Sequence, residues 1–129
     1  MGMRRSFLRP FLAGIALLAS ACGDAGPQSG PGILTATVLS PNGAEGAAVV
    51  ELFGPGIGTV QALEGRAFSE RRGDTVRVVL VRDDGGGDLR FTLAVTDTTR
   101  LFTGTVLEVA GPDDALRPAV SAYALEVRR

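Results

Sequence analysis

The sequence has 129 residues with fourteen acidic side chains, thirteen basic ones and a formal net charge of −1, and it contains no histidine and no tryptophan. All of the basic residues are arginines, and there is a single cysteine. These absences exclude Cys/His and Ser/His/Asp catalytic groups, a zinc site made of Cys or His ligands, and an internal disulfide.

Residues 1–21 have the layout of an export signal. The positively charged start Met1–Arg9 precedes an almost purely apolar run from Phe11 to Ala21. This run is too short for a stable membrane-spanning helix, which needs about 20 residues, and no charged flank follows it. We therefore predict a signal-peptide helix that is cleaved from the protein.

The residues around the cleavage point resemble a known bacterial signal. Ala19, Ser20 and Ala21 directly before Cys22 resemble the lipobox of bacterial lipoproteins, although Ala19 stands where leucine is usual. The resemblance implies that Cys22 receives a diacylglycerol, that cleavage occurs before it, and that its freed amino group is acylated. Gly23 follows, where an aspartate would retain lipoproteins of enteric bacteria in the inner membrane, which favours the outer membrane. The alternative is an ordinary secretory peptide that leaves Cys22 as a free thiol.

Behind the cysteine, residues 22–32 consist mainly of Gly, Pro and polar residues and are predicted to form a flexible tether with a reach of about 15 to 20 Å. Residues 33–129 are then long enough for one domain with a modest core. From residue 22 onward the chain has ten arginines and fourteen acidic residues, a formal charge of −4. This balance argues against nucleic acid as a partner.

Short runs of β-forming residues, separated by turn residues, fill the domain. Apolar and other residues alternate most clearly in Leu34–Val38, Ala48–Leu52 and Leu89–Thr96. The most apolar run, Thr75–Arg82, is predicted as a central strand covered on both faces. The glycine-rich stretch Asp83–Asp88 after it is predicted as a hairpin turn leading into Leu89–Thr96. Further strands are predicted at 58–63, 66–70, 103–109 and 121–127, with at most one helical turn within 111–118.

No segment has a sustained helical period. We therefore predict an all-β fold, an antiparallel immunoglobulin-like β-sandwich of about seven or eight strands, with a small closed barrel as the alternative. The strand spacing from Leu34 to Val127, including the run Asp88–Val95, also resembles that of the cohesin-like sandwiches of bacterial surface proteins. This resemblance lies in the spacing and not in a motif, so it identifies no partner-binding residue and does not imply dockerin binding.

Two groups of aspartates are candidate calcium ligands. Asp83, Asp84 and Asp88 surround three glycines, and Ca²⁺ needs six to eight oxygen ligands. A hairpin tip with solvated aspartates explains the same residues and is favoured. Asp113 and Asp114 are interpreted as part of a turn for the same reason. No cofactor is expected, with calcium as the alternative.

Two other patterns are given structural interpretations. The stretch Gly54–Gly58 resembles a phosphate-binding loop, but no helix follows to hold a phosphate, so a turn is expected. Arg66, Arg71 and Arg72 lie among acidic residues and are expected in a neutral, solvated loop.

The function predicted from these observations is that of a lipid-anchored, non-catalytic interaction or structural module at the bacterial cell envelope. Its expected partners are the membrane and an unidentified protein or glycan. A carbohydrate-binding module is the first alternative and requires an exposed aromatic pair among Phe53, Phe68 and Phe102. A carboxylate-dependent hydrolase is the second and requires two acidic side chains facing each other across a cleft.

Overall fold

The computed structural model describes residues 28–129, which form eight β-strands in two sheets of four. The strands are β1 (Gly32–Leu39), β2 (Ala47–Phe53), β3 (Ile57–Ala62), β4 (Arg66–Arg72), β5 (Thr75–Val81), β6 (Arg90–Val95), β7 (Thr103–Ala110) and β8 (Ala124–Arg128). Sheet I has the order β3-β6-β1-β8 and sheet II the order β4-β5-β2-β7. All pairs are antiparallel, which confirms the predicted all-β sandwich and its strand number.

The core lies between the two sheets and is made by the residues whose alternation predicts the strands. Leu34, Phe91 and Leu93 from sheet I and Val50 and Leu52 from sheet II are among the seventeen buried hydrophobic side chains. Each buried Val, Leu or Phe contributes about 1.5 to 3 kcal/mol relative to an exposed one. From β8, Leu125 and Val127 pack against this core, and Tyr123 just before the strand is buried.

The central strands of the two sheets follow the immunoglobulin order. In that fold one sheet has the strand order A-B-E-D and the other C-F-G. Here β2 and β5 pair as B and E do, with β4 in the place of D, and β3 and β6 pair as C and F do. The terminal strands differ, because β7 lies beside β2 in the place of A, and β1 lies beside β6 in the place of G.

The predicted hairpin between Thr75–Arg82 and Leu89–Thr96 is wrong. β5 already has β4 and β2 as hydrogen-bonded neighbours in sheet II, whereas β6 pairs with β1 and β3 in sheet I. The segment Arg82–Leu89 therefore crosses from one sheet to the other. The hairpin that is present joins β4 to β5, where Arg72 pairs with Thr75 across the two-residue turn Gly73–Asp74. Gly73 has a φ of 62°, as the first central residue of a type II′ turn requires.

Four other expectations need correction or comment. β5 is central in its sheet, but its outer face carries an exposed Arg77 and half-buried valines, so it is not covered on both faces. Arg66, Arg71 and Arg72 all belong to β4 and not to a loop. The residues 111–118 contain turns and no helical turn, and within 28–129 no helix is long and apolar enough to cross a membrane. β1 begins at Gly32, one residue before the predicted domain boundary.

The two ends of the sandwich carry different loops. The chain enters β1 at the end that also holds the turns 54–56 and 73–74 and the loop 96–102, and we call this the entry end. There the amide of Thr98 donates to the carbonyl oxygen of Gly30 at 3.0 Å. The opposite end, which we call the far end, holds the loops 40–46, 63–65, 82–89 and 111–123.

Candidate interaction surface

The central cross-strand rows on the outer faces of the two sheets differ in chemistry, although sheet I also exposes Ile33 and Leu39 near the two ends of β1. On sheet I, one cross-strand row consists of Gln61, Thr92, Thr35 and Arg128. This is the polar composition that a solvent-facing antiparallel sheet normally has. It provides an internal reference for sheet II.

On sheet II, the corresponding outer row consists of Phe68, Val79, Val49 and Glu108, so three of its four side chains are apolar. The next row toward the far end is also mostly apolar. We call this surface the valine face and define it by Ala47, Val49, Phe68, Val79, Val81, Ala110 and Leu116.

Two members of the valine face are strongly exposed, and a depression lies between its strands. Phe68 is 56% and Leu116 69% exposed. Leu116 reaches this surface because its backbone forms an isolated bridge with Ala110 beside β7. With Val49 and Val79 it lines a shallow depression of about 130 Å³. An exposed apolar surface of this kind marks an interaction site more often than isolated surface hydrophobics do.

A charged row borders the valine face on the side of the entry end. It runs across the four strands of sheet II as Glu70, Arg77, Glu51 and Thr105. Within it, Nη2 of Arg77 donates to Oε2 of Glu51 at 3.0 Å. At the other border, Arg66 donates two hydrogen bonds to Asp83, at 2.8 and 3.1 Å. Exposed ion pairs of this kind contribute little to the stability of the fold. Their main effect is that positive and negative side chains lie along both borders of the valine face.

The far end contains one buried carboxylate. Glu45 is 1% exposed, and Ser40 and Tyr123 each donate a hydroxyl hydrogen bond of 2.7 Å to its Oε1. Nε of Arg117 donates to Oε2 at 3.1 Å. Burial alone raises the pKa of Glu45, but the hydrogen bonds from Ser40, Tyr123 and Arg117, together with the charge of Arg117, outweigh it and lower the pKa.

Glu45 joins three loops that are distant in the sequence. Its backbone forms a bridge with Gly87, with N···O distances of 3.0 and 2.9 Å, while Arg117 and Tyr123 come from the loop after β7. A carboxylate that stays ionised and already accepts three hydrogen bonds is not suited to donate a proton. A depression of about 280 Å³ lies beside it, lined in part by Ser40 and Asp88. Nothing in the sequence around Glu45 distinguishes it from the solvated acidic residues.

The aspartates that were candidate calcium ligands lie at this same end. Asp84 accepts two hydrogen bonds from Arg82, at 2.9 and 2.7 Å, which together with the charge of Arg82 lower the pKa of Asp84 despite its partial desolvation. Asp83 is paired with Arg66, and the backbone oxygen of Asp88 accepts from Arg82. Because the loop crosses between the sheets, these residues do not form the tip of a hairpin.

The loop after β7 brings its two aspartates to the far end as well. Oδ1 of Asp113 accepts from the amide of Ala115, and the amide of Asp114 donates to the carbonyl oxygen of Gly111, which is a turn arrangement. In the part of the chain that the structure describes, no three acidic, His or Cys side chains are grouped so that they could hold a metal ion.

Two of the three candidate aromatics are exposed on sheet II. Phe53, at 59%, and Phe68 both point outward from this sheet, whereas Phe102 is partly buried against the core. Strand and residue spacings put the two exposed rings about 17 Å apart. Within the stretch Gly54–Gly58, residues 54–56 form a turn as expected, but Ile57 and Gly58 already belong to β3, and no helix follows.

Comparison with known proteins finds no family model, no curated protein and no solved structure that matches the chain. The predicted lipidation site, Cys22, lies outside the described residues.

Among the described residues, the geometry identifies the valine face as the candidate site. Its signal is already present in the sequence, because Val49, Val79 and Val81 occupy outward positions on β2 and β5. That pattern predicts a second covering layer, and no such layer lies over it in residues 28–129.

Proposed function

We propose that this chain is a bacterial envelope lipoprotein, anchored through acyl chains on Cys22, whose β-sandwich is a non-catalytic interaction module that makes contact through the valine face. The observation that carries the interaction role is the contrast between the two outer faces of one sandwich. The row Phe68–Val79–Val49 is apolar where the equivalent row of sheet I is threonine-rich.

The anchor is supported by the position of the only cysteine directly after three small residues and an apolar run. Two or three acyl chains hold a protein on a membrane firmly, whereas one chain gives marginal binding. Gly23 after the cysteine favours the outer membrane, with the domain facing the periplasm or the exterior.

The charge distribution supports an arrangement in which the far end points away from the membrane. The far-end loops contain seven acidic residues and two arginines, whereas the entry-end segments 28–31, 54–56, 73–74, 96–102 and 129 contain two of each. An anionic lipid surface repels the acidic end within a Debye length of about 8 to 10 Å. The tether is therefore attached at the entry end, whose loops have no net charge and are not repelled by an anionic lipid surface.

The anchor is tested by intact-mass analysis of the membrane fraction after expression of the full chain with its own leader in a bacterial host. We expect a protein that begins at residue 22 and carries acyl mass, and we expect Cys22→Ser to lose both the acyl mass and the membrane association. A wild-type protein without acyl mass would show that Cys22 is a free thiol of a secreted domain.

The interaction role is tested with a photoreactive amino acid placed at Val79 or, as the matched control, at Thr92 on the outer face of sheet I. We expect cross-linked products in intact cells from position 79 and none above background from position 92. Equal labelling at both positions would contradict an interaction role for the valine face.

Carbohydrate binding is the second candidate, and the exposure of both Phe53 and Phe68 favours it. Aromatic rings stack on sugar faces, and two rings on one side of a sheet form a platform for an extended glycan. Co-sedimentation of the protein with insoluble cell-wall polysaccharide tests this function. Binding that is lost in Phe53→Ala and Phe68→Ala but kept in Phe102→Leu would establish it, and no binding by the wild type would exclude it for that glycan.

A further inference from the structure

We propose that the partner of the valine face is a second copy of this chain, stacked on it face to face about a two-fold axis that runs parallel to the strands between β5 and β2. This proposal deepens the interaction role given above and is independent of the lipid anchor. It commits sheet II of one copy to sheet II of the other, in an isologous interface where both copies use the same surface.

The first argument is the register of the apolar row. A two-fold axis parallel to the strands keeps each residue in its own row and exchanges β5 with β2, and β4 with β7. Val79 of one copy then lies over Val49 of the other, and the reverse contact forms at the same time. At the two edges of the interface, Phe68 of one copy lies over Glu108 of the other. Sheets that pack in this manner are about 10 Å apart and interdigitate their side chains.

The second argument is charge complementarity in the bordering row. Arg77 and Glu51 are direct neighbours on β5 and β2, and they form an ion pair within each copy. The same axis puts Arg77 of one copy over Glu51 of the other, so that two ion pairs of opposite direction lie side by side. Each of these four charges then has opposite charges as its nearest neighbours. A two-fold axis perpendicular to the strands gives a different arrangement. If that axis is placed so that the apolar row of one copy stacks on the apolar row of the other, Val81 of one copy lies over Arg77 of the other.

The third argument is the direction of the tether. Rotation about an axis parallel to the strands leaves both entry ends on the same side of the dimer, because β1 begins at that end in each copy. Two copies can therefore be attached to one membrane. A two-fold axis perpendicular to the strands would point the two tethers in opposite directions.

The size of the surface sets the strength of the association. Four strands about 4.8 Å apart and seven residues of about 3.4 Å each give a face of about 19 by 24 Å, so a dimer covers about 900 Å² in total. Stable complexes bury about 1,200 to 2,000 Å². We therefore expect a weak dimer in dilute solution, which becomes dominant when both chains are confined to one membrane at high effective concentration.

Glu70 on β4 and Thr105 on β7 provide a test of this geometry, because both are exposed and lie outside the valine face. They occupy the same row, so Glu70 of one copy lies over Thr105 of the other. Within one copy, and between two equal positions of the dimer, the lateral separation is three strand spacings, or about 14 Å.

Full chains carrying Glu70→Cys or Thr105→Cys, with different tags, are expressed together and treated in intact membranes with a short bifunctional maleimide. We expect a cross-linked product that contains both tags, and we expect neither variant alone to form one. A mixed population that is folded by circular dichroism but yields no two-tag product overturns the proposal, as do products of equal yield from each variant alone.

Charge variants test the axis itself, in proteins that circular dichroism shows to be folded. Arg77→Glu in both chains is expected to abolish the two-tag product. A charge exchange between the chains, with Arg77→Glu in the Glu70→Cys chain and Glu51→Arg in the Thr105→Cys chain, is expected to restore it, because opposite charges then face each other only across the interface while each copy carries two like charges. Val79→Asp is expected to abolish it, with Thr92→Asp as the matched control that does not. Failure of the charge exchange to restore the product overturns the proposed axis.

The outcomes also separate this proposal from the proposed function. A photo-cross-link from position 79 to another envelope protein, without self-cross-links, keeps the interaction role and overturns the dimer. In chains that carry no acyl mass, a two-tag product that forms with the introduced cysteines at positions 70 and 105 in a Cys22→Ser background keeps the dimer, while the missing acyl mass overturns the anchor.

Discussion

Glu45 illustrates at the scale of one residue how this sandwich closes its far end without a disulfide. Its carboxylate accepts hydrogen bonds from Ser40, Arg117 and Tyr123, and Nδ2 of Asn42 donates to the Tyr123 hydroxyl at 2.8 Å. A hydrogen bond to a buried charge stabilises the fold more than a hydrogen bond between neutral groups does. Removing one of its partners therefore costs more folding free energy. Together with the backbone bridge between Glu45 and Gly87, the cluster therefore fixes three loops relative to one another.

We predict that Glu45→Gln, which keeps the shape of the side chain but removes its charge, lowers the free energy of unfolding by about 1 to 3 kcal/mol at pH 7. Urea denaturation measures this value. The matched control is Glu126→Gln, which removes an exposed pair with Arg128 and is expected to change stability by about 0.5 kcal/mol or less. Equal effects of the two changes would mean that the Glu45 cluster is not a stabilising element.

The lowered pKa of Glu45 predicts how this difference depends on pH. A carboxyl whose pKa is lower in the folded than in the unfolded state binds fewer protons when folded, so its stabilising effect is complete above the unfolded pKa. The effect is lost as the pH falls through the folded pKa. The stability difference between wild type and Glu45→Gln should therefore be constant from pH 7 to about 5 and shrink below about 4.5. A difference that grows with acidity would contradict this prediction.

The sequence could not predict the Glu45 cluster, although it predicts most buried hydrophobic residues. Leu34, Phe91 and Val95 reveal themselves by alternation with their neighbours along one strand. Glu45 comes from the loop 40–46, whereas Arg117 and Tyr123 come from the loop 111–123, and they meet only when both sheets have formed. No local pattern therefore distinguishes Glu45 from Glu64 or Glu108.

At the scale of elements, the turns on either side of β4 impose different demands. Gly65 before the strand and Gly73 after it both have positive φ, of 73° and 62°. A Cβ added at Gly65 would lie 2.1 Å from the carbonyl oxygen of Val81, whereas one added at Gly73 would have no atom within 4 Å. The two glycines therefore share a backbone conformation but differ in available space.

We predict that Gly73→Ala costs about 1 kcal/mol, which is the strain of positive φ for an L residue. Gly65→Ala should cost a further ~1 to 3 kcal/mol, because the backbone around Val81 must move to accommodate the methyl group. Thermal and urea unfolding of the two variants measure the difference. Equal losses would show that the turn before β4 adapts without cost.

The strands could be predicted from the sequence more reliably than their partners. β6 has perfect alternation, and its position is predicted within one or two residues. The hairpin expected before it is wrong because a glycine-rich segment such as Asp83–Asp88 permits a tight turn but equally permits a crossing between sheets. β5 cannot pair with β6 because both of its edges are already hydrogen-bonded, to β4 and to β2. The crossing between sheets therefore depends on which other strands pair with β5, and the sequence of the glycine-rich segment does not contain that information. The hairpin that is present has the two-residue turn Gly73–Asp74 between β4 and β5. The sequence pattern predicts both strands but does not predict that they pair with each other.

At the scale of the whole molecule, the assignment of strands to sheets determines whether outward apolar residues form one continuous surface. The outward valines of β2 and β5 form one continuous surface because these strands are neighbours in sheet II. Had they been placed in different sheets, the same residues would be scattered over two faces. A sequence reveals that such residues point away from the core side of a strand, but only the topology joins Val49 and Val79 into a candidate interface.

The pairing of the first strand with the last has a consequence for when this chain folds. β1 is hydrogen-bonded to β8, and among the described strands only β4 and β5 are consecutive partners. The chain must therefore bring distant segments together before hydrogen bonds and burial compensate for the entropy that it loses, and such topologies fold in about milliseconds to seconds. Until β8 has been synthesised, β1 lacks one of its two neighbours. Sheet I is therefore completed only after β8 has been made, which suits the export that we propose.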